Sequence, residues 1–425
     1  MMNMKNKYLP RIADAKLALA LQAMGAVLIE GPKWCGKTST AEHVAKSVLY
    51  MQDPDTFEEN MLKSKTKPSL LLEGETPRLL DEWQVAPVLW NAVRFAVDER
   101  QTTGQFILTG SVVPVRTDDM HSGTGRISRM KMRTMSLYES GESSGEISLE
   151  DIFDEKTEMF GKSKITLEQM AFILTRGGWP AAVNESNEVL ALKKASDYYE
   201  AVVGEDISRV DNVEKKPDRV RSLMRSLSRN VSSEASTTTI LNDLRANDES
   251  LSQVTIDQYI NALKMLYVID DLLAWSPSLR SKTAIRTTAK RHFSDPSIAT
   301  AALGATTKRL FNDFNTFGLL FEALCIRDLR IYADSLGGNV YHYRDAKGVE
   351  VDAIIQIQDG RWGAVEVKMG AGDIETAVKN LISFKENIDT AKMQEPSFLM
   401  VLTATETAFQ MENGVWIVPL GCLKN

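Results

Sequence analysis

The sequence predicts three kinds of structure in series: an α/β core with a parallel sheet flanked by helices, a helical and winged-helix middle, and an α+β C-terminal domain. Three observations predict this order. Short apolar runs ending in polar residues lie near the N-terminus, a long helix-compatible stretch follows, and closely spaced strand-like runs lie near the C-terminus. With 425 residues, the chain exceeds the size at which one hydrophobic core stops growing, so several modules are expected.

The composition is that of an ordinary globular protein, with 43% hydrophobic and 25% charged residues. Because no apolar run approaches the ~18 residues of a membrane-spanning helix, we expect no membrane partner. The N-terminus lacks the apolar stretch of a signal peptide. The three cysteines, Cys35, Cys325 and Cys422, are far apart and have no metal-binding spacing. These features predict a cytoplasmic location.

The formal net charge of -7 speaks against nonspecific coating of nucleic acid, which depends on Lys and Arg neutralising phosphates. A local basic patch nevertheless lies between Leu272 and Ser294. It consists of Arg280, Lys282, Arg286, Lys290 and Arg291. Two interpretations stay open, a solvated loop and a surface that contacts DNA.

Five strands are predicted in the N-terminal region. They lie in AVLIEG, SVLYMQD, PRLLDEW, QFILTGS and RISRMKMRTMS. Helix-compatible stretches such as APVLWNAVRFAVDERQ separate them. Apolar runs of this kind are typical of strands buried on both faces of a parallel sheet. The stretch rich in Ser, Gly, Glu and Lys from Gly141 to Lys164 indicates an exposed connection, so the core is predicted to occupy residues 1–145.

Three further modules are predicted after the core. Residues 146–230 form a helical lid and connector, interrupted by the Gly177 to Pro180 break. Residues 231–305 form a winged helix, with a second helix that starts near Ser252 as N-cap. Ile256, Ile260, Leu263 and Leu266 recur at helical spacing and are expected to pack this helix inward. Residues 306–425 form the α+β module, with one long helix and three strand-like runs.

The segment GPKWCGKT matches the G-x-x-x-x-G-K-[ST] pattern in full, after a predicted strand and before a predicted helix. In this pattern, backbone N–H groups wrap phosphates, Lys37 reaches the β and γ phosphates, and the Thr38 hydroxyl binds Mg²⁺. The sequence therefore predicts a P-loop NTPase core with ATP and Mg²⁺ as ligands. The expected nucleotide-binding residues are Gly31, Pro32, Lys33, Trp34, Cys35, Gly36, Lys37, Thr38 and Ser39.

The catalytic residues are expected at the ends of two later strands. Asp81 is placed to hold the Mg²⁺ shell, and Glu82 to polarise the attacking water. Thr109 and Ser111 either contact the γ-phosphate or the water, or belong to an ordinary strand-terminal turn. The predicted catalytic set is thus Glu82, Lys37 and Thr109, together with an arginine.

Arg126 is the predicted arginine and Arg129 is a second candidate, because a cation stabilises the charge that develops in phosphoryl transfer. Either could act within its own subunit or on a neighbour in a homo-oligomer. A plain surface ion pair explains Arg129 equally well.

The chain resembles the bacterial and archaeal AAA-type ATPases that carry a domain of unknown function called DUF4143. The resemblance rests on GPKWCGKT, LLDEWQ, ILTGS, GRISRMKMRTMSLYE, RGGWP, YYEAVVGEDISR and GVEVDAII…AVEVK, in that order. It implies an AAA core, a helical and winged-helix middle, and a C-terminal fold similar to the PD-(D/E)-x-K restriction nucleases.

In such nucleases, two carboxylates bind the metal and a lysine beside them stabilises charge. Asp352, Glu366 and Lys368 have this pattern, and Glu322 on the preceding helix is the position where related folds add a carboxylate. Glu366 and Lys368 share one face of a strand. With a two-residue turn Asp352 would point away from them, whereas a three-residue turn reaching Arg361 puts it opposite Lys368. The apolar pattern favours the second arrangement.

Two functions remain in competition. In the first, ATP hydrolysis repositions the winged-helix and nuclease-like modules on a nucleic-acid target. In the second, the chain is a nucleotide-regulated protein-interaction module with a catalytically inactive nuclease-like fold. Nuclease activity stays open, because the C-terminal charges could equally be a solvated cluster on a fold retained for binding.

Overall fold

The computed structural model describes residues 8–111, 122–156, 159–211, 213–246, 248–276, 288–345, 348–388 and 394–425. The chain divides into two compact units. The N-terminal unit contains Met1–Thr134, Asp206–Glu214 and Ala262–Val268, and the C-terminal unit contains Met135–Glu205, Lys215–Asn261 and Ile269–Asn425. The predicted end of the core at residue 145 thus lies beyond the boundary of the N-terminal unit.

A five-stranded parallel sheet forms the centre of the N-terminal unit. Its strands are β1 (Ala26–Glu30), β2 (Ser47–Tyr50), β3 (Arg78–Asp81), β4 (Phe106–Gly110) and β5 (Ile127–Lys131). Their order in the sheet is β2-β3-β4-β1-β5, and every neighbouring pair is parallel. All five strands lie in the predicted runs, so the parallel α/β core is confirmed.

Helices cover both faces of this sheet. They are α1 (Ile12–Ala23), α2 (Lys37–Val44), α3 (Phe57–Thr66) and α4 (Val88–Arg100), with short 3₁₀ turns at Pro68–Leu72 and Trp83–Val85. Val27 and Ile29 belong to one hydrophobic cluster and Leu28 to another. Since neighbouring residues of a strand point to opposite faces, both faces of β1 are buried. The carboxyl ends of β1, β3 and β4 therefore present their polar residues at one edge.

The C-terminal unit contains both helices and strands. Its helices and the connecting ones are α5 (Leu149–Phe153), α6 (Leu167–Arg176), α7 (Pro180–Val183), α8 (Glu188–Ala201), α9 (Ile207–Arg209), α10 (Pro217–Arg229), α11 (Thr237–Arg245), α12 (Gln253–Met265), α13 (Pro296–Leu303), α14 (Thr307–Leu310), α15 (Phe314–Ser335) and α16 (Ile374–Glu386). A π-helical segment, Val202–Asp206, joins α8 to α9.

Two predictions for the middle of the chain are confirmed. α6 ends at Arg176, and Pro180 begins α7, so the helix break lies where Gly and Pro interrupt the pattern. Ser252 Oγ accepts a hydrogen bond of 3.1 Å from the Thr255 N–H, which makes Ser252 the cap of α12. The predicted inward-facing residues of α12 and its C-terminal end are all buried, namely Ile256, Ile260, Leu263 and Leu266.

The C-terminal unit contains a seven-stranded sheet in the order β7-β12-β13-β11-β10-β9-β8. Its strands are β7 (Gly161–Lys162), β8 (Asn339–Arg344), β9 (Glu350–Gln356), β10 (Trp362–Lys368), β11 (Phe398–Thr403), β12 (Thr407–Gln410) and β13 (Trp416–Pro419). β8, β9 and β10 are antiparallel, whereas β11 is parallel to β10. A small second sheet pairs β6 (Ile147–Ser148) with β14 (Leu423–Lys424).

Buried charges connect the predicted middle module with the C-terminal one. Asp295 Oδ2 accepts hydrogen bonds from the Gly178 N–H, at 2.9 Å, and from Arg327 Nη1, at 3.1 Å. Asp295 and Arg327 are fully buried or nearly so. Because a buried ion is costly without its partner, loss of either Asp295 or Arg327 would leave an unpaired buried charge where the segments meet. Residues 135–205 and 269–425 thus share one core, although the sequence suggested separate modules.

Within the described part of the chain, no helix combines the length and the apolar character needed to cross a membrane.

Candidate functional site

The P-loop follows β1 directly and leads into α2. Gly36 precedes the first residue of α2 and has the left-handed φ of 102°, a conformation that favours glycine. Gly31 has a φ of 156°, and a Cβ atom there would lie 2.1 Å from the Met132 carbonyl oxygen. Both glycines are therefore needed for the loop to curve over the end of the sheet and start the helix.

Lys37 is the first residue of α2, and its side chain is buried. Its Nζ donates hydrogen bonds to the carbonyl oxygens of Gly31, at 3.0 Å, and Pro32, at 2.7 Å. The ammonium thus lies inside the curve of the loop. A cation in this place, beside the N–H groups of a helix N-terminus, favours an anionic ligand.

The side chains of the other predicted P-loop residues have varied surroundings. Trp34 and Ser39 are exposed, and the Cys35 side chain is fully buried in the hydrophobic core. Lys33 Nζ forms an ion pair of 2.6 Å with Asp206 Oδ1, and Asp206 belongs to the same unit. The Lys33 side chain is thus held by a carboxylate of the connector.

Asp81 is the centre of a hydrogen-bond network at the carboxyl edge of the sheet. Its Oδ1 accepts hydrogen bonds from Thr38 Oγ1, at 2.8 Å, and from Thr109 Oγ1, at 2.6 Å. Asp81 and Thr109 are paired in the register of β3 and β4. The structure therefore brings together three residues that the sequence placed on three separate elements.

Glu82 lies next to this network and has the left-handed φ of 53°. A non-glycine residue in this region is uncommon and is often found at functional sites. Glu82 Oε2 accepts hydrogen bonds from Ser111 Oγ, at 3.3 Å, and from Gln84 Nε2. The other Gln84 side-chain atom, Oε1, is buried without a hydrogen-bond partner among the described residues. Two polar side chains thus orient the Glu82 carboxylate.

Arg126 is not near the P-loop. Its carbonyl oxygen accepts a hydrogen bond of 3.1 Å from the N–H of Ala26, the first residue of β1, whereas the P-loop follows the last. A strand of five residues spans about 15 Å, so Arg126 lies at the opposite edge of the sheet. Its side chain forms an ion pair of 2.7 Å with Asp98. Of the two alternatives left open for Arg126, the structure does not favour a role in its own subunit, because the residue precedes β5 and does not follow it.

Arg129 lies in the middle of β5. Its Nη1 forms an ion pair of 2.8 Å with Glu30 Oε1, and its guanidinium lies over the Trp90 ring, 5.2 Å from the centroid. This is the ion pair that the alternative interpretation anticipated. A role for either arginine in a neighbouring subunit stays a prediction.

Sequence reasoning missed two residues that support the P-loop. Buried Arg11 donates a hydrogen bond of 2.8 Å from Nη1 to the Cys35 carbonyl oxygen, and one of 2.9 Å from Nη2 to the Arg133 carbonyl oxygen. Arg11 thus ties the loop to the chain beyond β5. No sequence motif marks it. Asp206, the partner of Lys33, lies within the quoted segment YYEAVVGEDISR.

The C-terminal carboxylates share one face, as predicted. Lys368 Nζ lies 2.9 Å from Glu366 Oε2 and 3.8 Å from Asp352 Oδ2. The register pairs Val365 with Ala353, so its continuation sets Asp352 opposite Glu366 and not opposite Lys368. Ile357 donates to the Arg361 carbonyl oxygen, and the three-residue turn consequently starts one residue earlier than expected.

A lysine of the predicted basic patch lies in the middle of this cluster. Lys290 Nζ lies 3.1 Å from Glu322 Oε1, 3.0 Å from Glu350 Oε1 and 3.2 Å from Asp352 Oδ1. Only 3% of the Lys290 side chain is exposed. Glu350, the first residue of β9, was not predicted as part of this cluster, although it lies within the quoted segment GVEVDAII.

Burial and mutual repulsion shift the titration of these acids. Burial, and then the charge of Asp352, raises the pKa of Glu322 to about 8, and Lys290 opposes the shift. The same two causes raise the pKa of Glu366 to about 7, against the effect of Lys368. Burial lowers the pKa of Lys290, but attraction to Glu322, Asp352 and Glu350 outweighs it, so the net shift is upward. The ammonium is therefore charged at neutral pH.

The predicted basic surface is partly wrong. Lys290 and Arg291 are both buried, and Arg291 Nη1 pairs with Asp271 Oδ2 at 3.0 Å. Neither can contact DNA. Arg280, Lys282 and Arg286 lie outside the described residues. Among the described residues, no group of three or more His, Cys, Asp or Glu side chains is arranged to hold a metal ion, so the predicted metal ligands Asp352, Glu366 and Glu322 do not form such a site in this arrangement.

Three family models match the chain, each over one part of it. Residues 24–141 match a model described as an AAA domain. Residues 167–309 match a domain of unknown function, DUF8612, and residues 317–423 match another, DUF4143. The search of curated proteins found no match.

Among solved structures, the chain is similar to the Walker-type ATPase PABY2304 of Pyrococcus abyssi. The identity is 13% and the TM-score 0.42, and the alignment covers 70% of this chain and 97% of that one.

The parallel sheet, the P-loop geometry and the family match define the N-terminal unit as a P-loop NTPase core of the AAA type. The chain carries this AAA domain at its N-terminus and a DUF4143 domain at its C-terminus, which confirms the predicted resemblance. The AAA domain supports ATP binding. None of the matches tests the winged helix or the nuclease-like fold.

Proposed function

We propose that the N-terminal unit binds ATP with Mg²⁺ and hydrolyses it, and that the hydrolysis cycle controls the winged-helix and nuclease-like modules on nucleic acid. The observation that carries the ATPase proposal is the pair of hydrogen bonds that Asp81 accepts from Thr38 and Thr109. These bonds join the P-loop helix to two neighbouring strands. Such an arrangement is preorganised for phosphoryl transfer, in which positioning supplies most of the catalysis.

The residues present fit Mg²⁺. This ion prefers oxygen ligands and commonly takes one or two groups from the protein, with water and substrate phosphates completing its shell. Thr38 and Asp81 offer a hydroxyl and a carboxylate within 2.8 Å of one another. When bound, the ion neutralises charge on the β and γ phosphates.

Each remaining residue has a distinct role in this proposal. The N–H groups of Gly31 and of residues 33–38 wrap the phosphates, and Lys37 exchanges its bonds to the loop carbonyls for bonds to phosphate oxygens. Glu82 accepts the proton of the attacking water, held in position by Ser111 and Gln84. Thr109 acts through Asp81 and is a positioning residue.

A second candidate function is a nucleotide-regulated protein-interaction module. The observation that favours it is the Lys290 ammonium among the C-terminal carboxylates. In a hydrolytic nuclease those carboxylates hold a metal. A fold that directs them at a lysine is better suited to binding than to cutting.

ATP turnover measured with and without DNA tests the proposal and separates the two functions. DNA-stimulated turnover, or cleavage of DNA, supports control of nucleic-acid modules. Turnover that DNA does not change, together with a defined protein partner whose binding is insensitive to salt, supports the interaction module. Absence of any ATP turnover with Mg²⁺ under both conditions would contradict the ATPase proposal itself.

A further inference from the structure

The backbone of Lys290 is held by two hydrogen bonds that do not involve its side chain. Its N–H donates to the Leu272 carbonyl oxygen, and its carbonyl oxygen accepts from the Leu272 N–H, both at 2.9 Å. Leu272 is fully buried. This antiparallel bridge directs the lysine side chain into the interior of the C-terminal unit.

The three carboxylate partners match the ammonium in number. A lysine ammonium has three N–H donors and no acceptor. Glu322, Glu350 and Asp352 supply three acceptors at 3.0–3.2 Å from Nζ, within the range of N–H···O hydrogen bonds. The Lys290 ammonium consequently has a full set of partners with almost no contact with solvent.

The carboxylates in turn form hydrogen bonds and ion pairs with donors of this chain. Asp352 Oδ1 accepts from Lys290, and Asp352 Oδ2 accepts a hydrogen bond of 2.9 Å from the Val367 N–H. Glu366 Oε2 pairs with Lys368 at 2.9 Å. Every carboxylate that the sequence assigned to a C-terminal metal ion thus already pairs with a lysine.

We propose that Lys290 is a built-in cation that takes the metal position of the C-terminal carboxylate cluster. The native chain therefore binds no divalent ion there and does not cut nucleic acid with these residues. A divalent ion takes the place of the ammonium once that ammonium is removed.

Geometry and charge explain why the two cations exclude each other. Mg²⁺ requires about six oxygens at 2.0–2.1 Å, whereas the carboxylate oxygens stand 3.0–3.2 Å from Nζ. Drawing them in to an ion would place that ion against a buried positive charge, where repulsion is barely screened. The inference deepens the second candidate function. It does not depend on ATP hydrolysis, so either can fail while the other stands.

Binding of Mn²⁺ alone, without nucleotide, tests the proposal. Free Mn²⁺ is measured by electron paramagnetic resonance in equilibrium with the full chain for the wild type, Asp352→Asn, Lys290→Met and the double variant. Met keeps the length of the lysine but carries no charge. The P-loop unit is the same in all four proteins, so its own Mn²⁺ binding cancels in the comparison, and nucleotide binding reports that it is folded.

We expect the wild type and Asp352→Asn to bind the same amount of Mn²⁺. Lys290→Met should bind one further ion per chain, which the double variant loses, and Mn²⁺ should raise the melting temperature of Lys290→Met more than that of the wild type. Glu322→Gln in place of Asp352→Asn should give the same pattern. Wild-type Mn²⁺ binding that depends on Asp352 would overturn the proposal, and so would a folded Lys290→Met without the extra ion. Failure of Lys290→Met to fold even with Mn²⁺ present also contradicts it, because the ion should then replace the ammonium.

Discussion

Thr109 Oγ1 donates a hydrogen bond of 2.6 Å to Asp81 Oδ1, across the neighbouring parallel strands β4 and β3. The same oxygen of Asp81 accepts from Thr38 at the start of α2. Two hydroxyl groups from different elements thus hold one carboxylate oxygen. The orientation of Asp81 should depend on both.

Thr109→Val is expected to lower the ATP turnover number by about 10-fold or more, because a hydrogen bond to a charged group contributes about 1.5–3 kcal/mol. ATP affinity should change little, since Thr109 acts through Asp81. Thr109→Ser keeps the hydroxyl and serves as the control. Turnover and nucleotide affinity are measured for both variants. Equal turnover of Thr109→Val and Thr109→Ser would contradict this role of the hydroxyl.

Lys37→Ala is expected to abolish ATP binding, because Lys37 supplies the fixed cation inside the loop. Lys33→Ala is the matched control. It removes the same charge from the same loop, but from a side chain that pairs with Asp206, and should retain binding. Equal loss of binding in the two variants, measured by titration with a fluorescent ATP analogue, would show that Lys37 has no special part.

Lys290→Ala is expected to destabilise the protein by about 3–5 kcal/mol, because it leaves buried carboxylates without their cation. Lys368→Ala should cost less, since 28% of the Lys368 side chain is exposed and charges near water are screened. Urea denaturation of the two variants measures the difference. A Lys290→Ala protein as stable as the wild type would mean that the lysine is not held as described.

The titration of Glu322 predicts a pH dependence of stability. Its pKa is raised to about 8 in the folded protein, from an ordinary value near 4.5, so the folded state holds a proton that the unfolded chain releases between these values. The stability from this group is fully present below about pH 4.5 and is lost as the pH rises through 8. As the pH rises from 5 to 8, the free energy of unfolding of Glu322→Gln should increase relative to that of the wild type by an amount on the order of 3 kcal/mol. If the free energies of unfolding of the two proteins changed with pH in the same way, the raised pKa of Glu322 would be contradicted.

Charge reversal at Lys282 and Arg286 remains a prediction from the sequence, because both residues lie outside the described part of the chain. If they contact phosphates, their replacement by Glu should weaken DNA binding and flatten its dependence on salt. Lys290 no longer belongs to this set. Absence of wild-type DNA binding at low salt would end the idea.

Much of the N-terminal site could be predicted because its signals are local. The glycines and Lys37 lie at fixed spacings in one loop, and the strand that ends at Asp81 is a short apolar run. The face shared by Asp352 and Glu366 was also predictable, although the turn was misplaced. The observed register differs from the expected one by two residues. Because side chains alternate with a period of two, this difference leaves Asp352 on the same face as Glu366.

Lys290 shows what local signals miss. A lysine in a basic stretch suggests solvent, and its carboxylates lie 32 or more residues further along the chain. The bridge to Leu272 directs it inward. Arg126 is a different case, because its place just before a strand parallel to β1 already indicates the edge away from the P-loop.

The most direct test of the account is Glu82→Gln, with ATP binding and ATP turnover measured on the same preparation as the wild type. The amide keeps the shape of the side chain but cannot accept the proton of water. The account predicts unchanged nucleotide affinity and a turnover number reduced by about 100-fold or more. Turnover equal to that of the wild type would contradict the role of Glu82, and equal loss of binding and turnover would show that Glu82 holds the nucleotide instead of activating water.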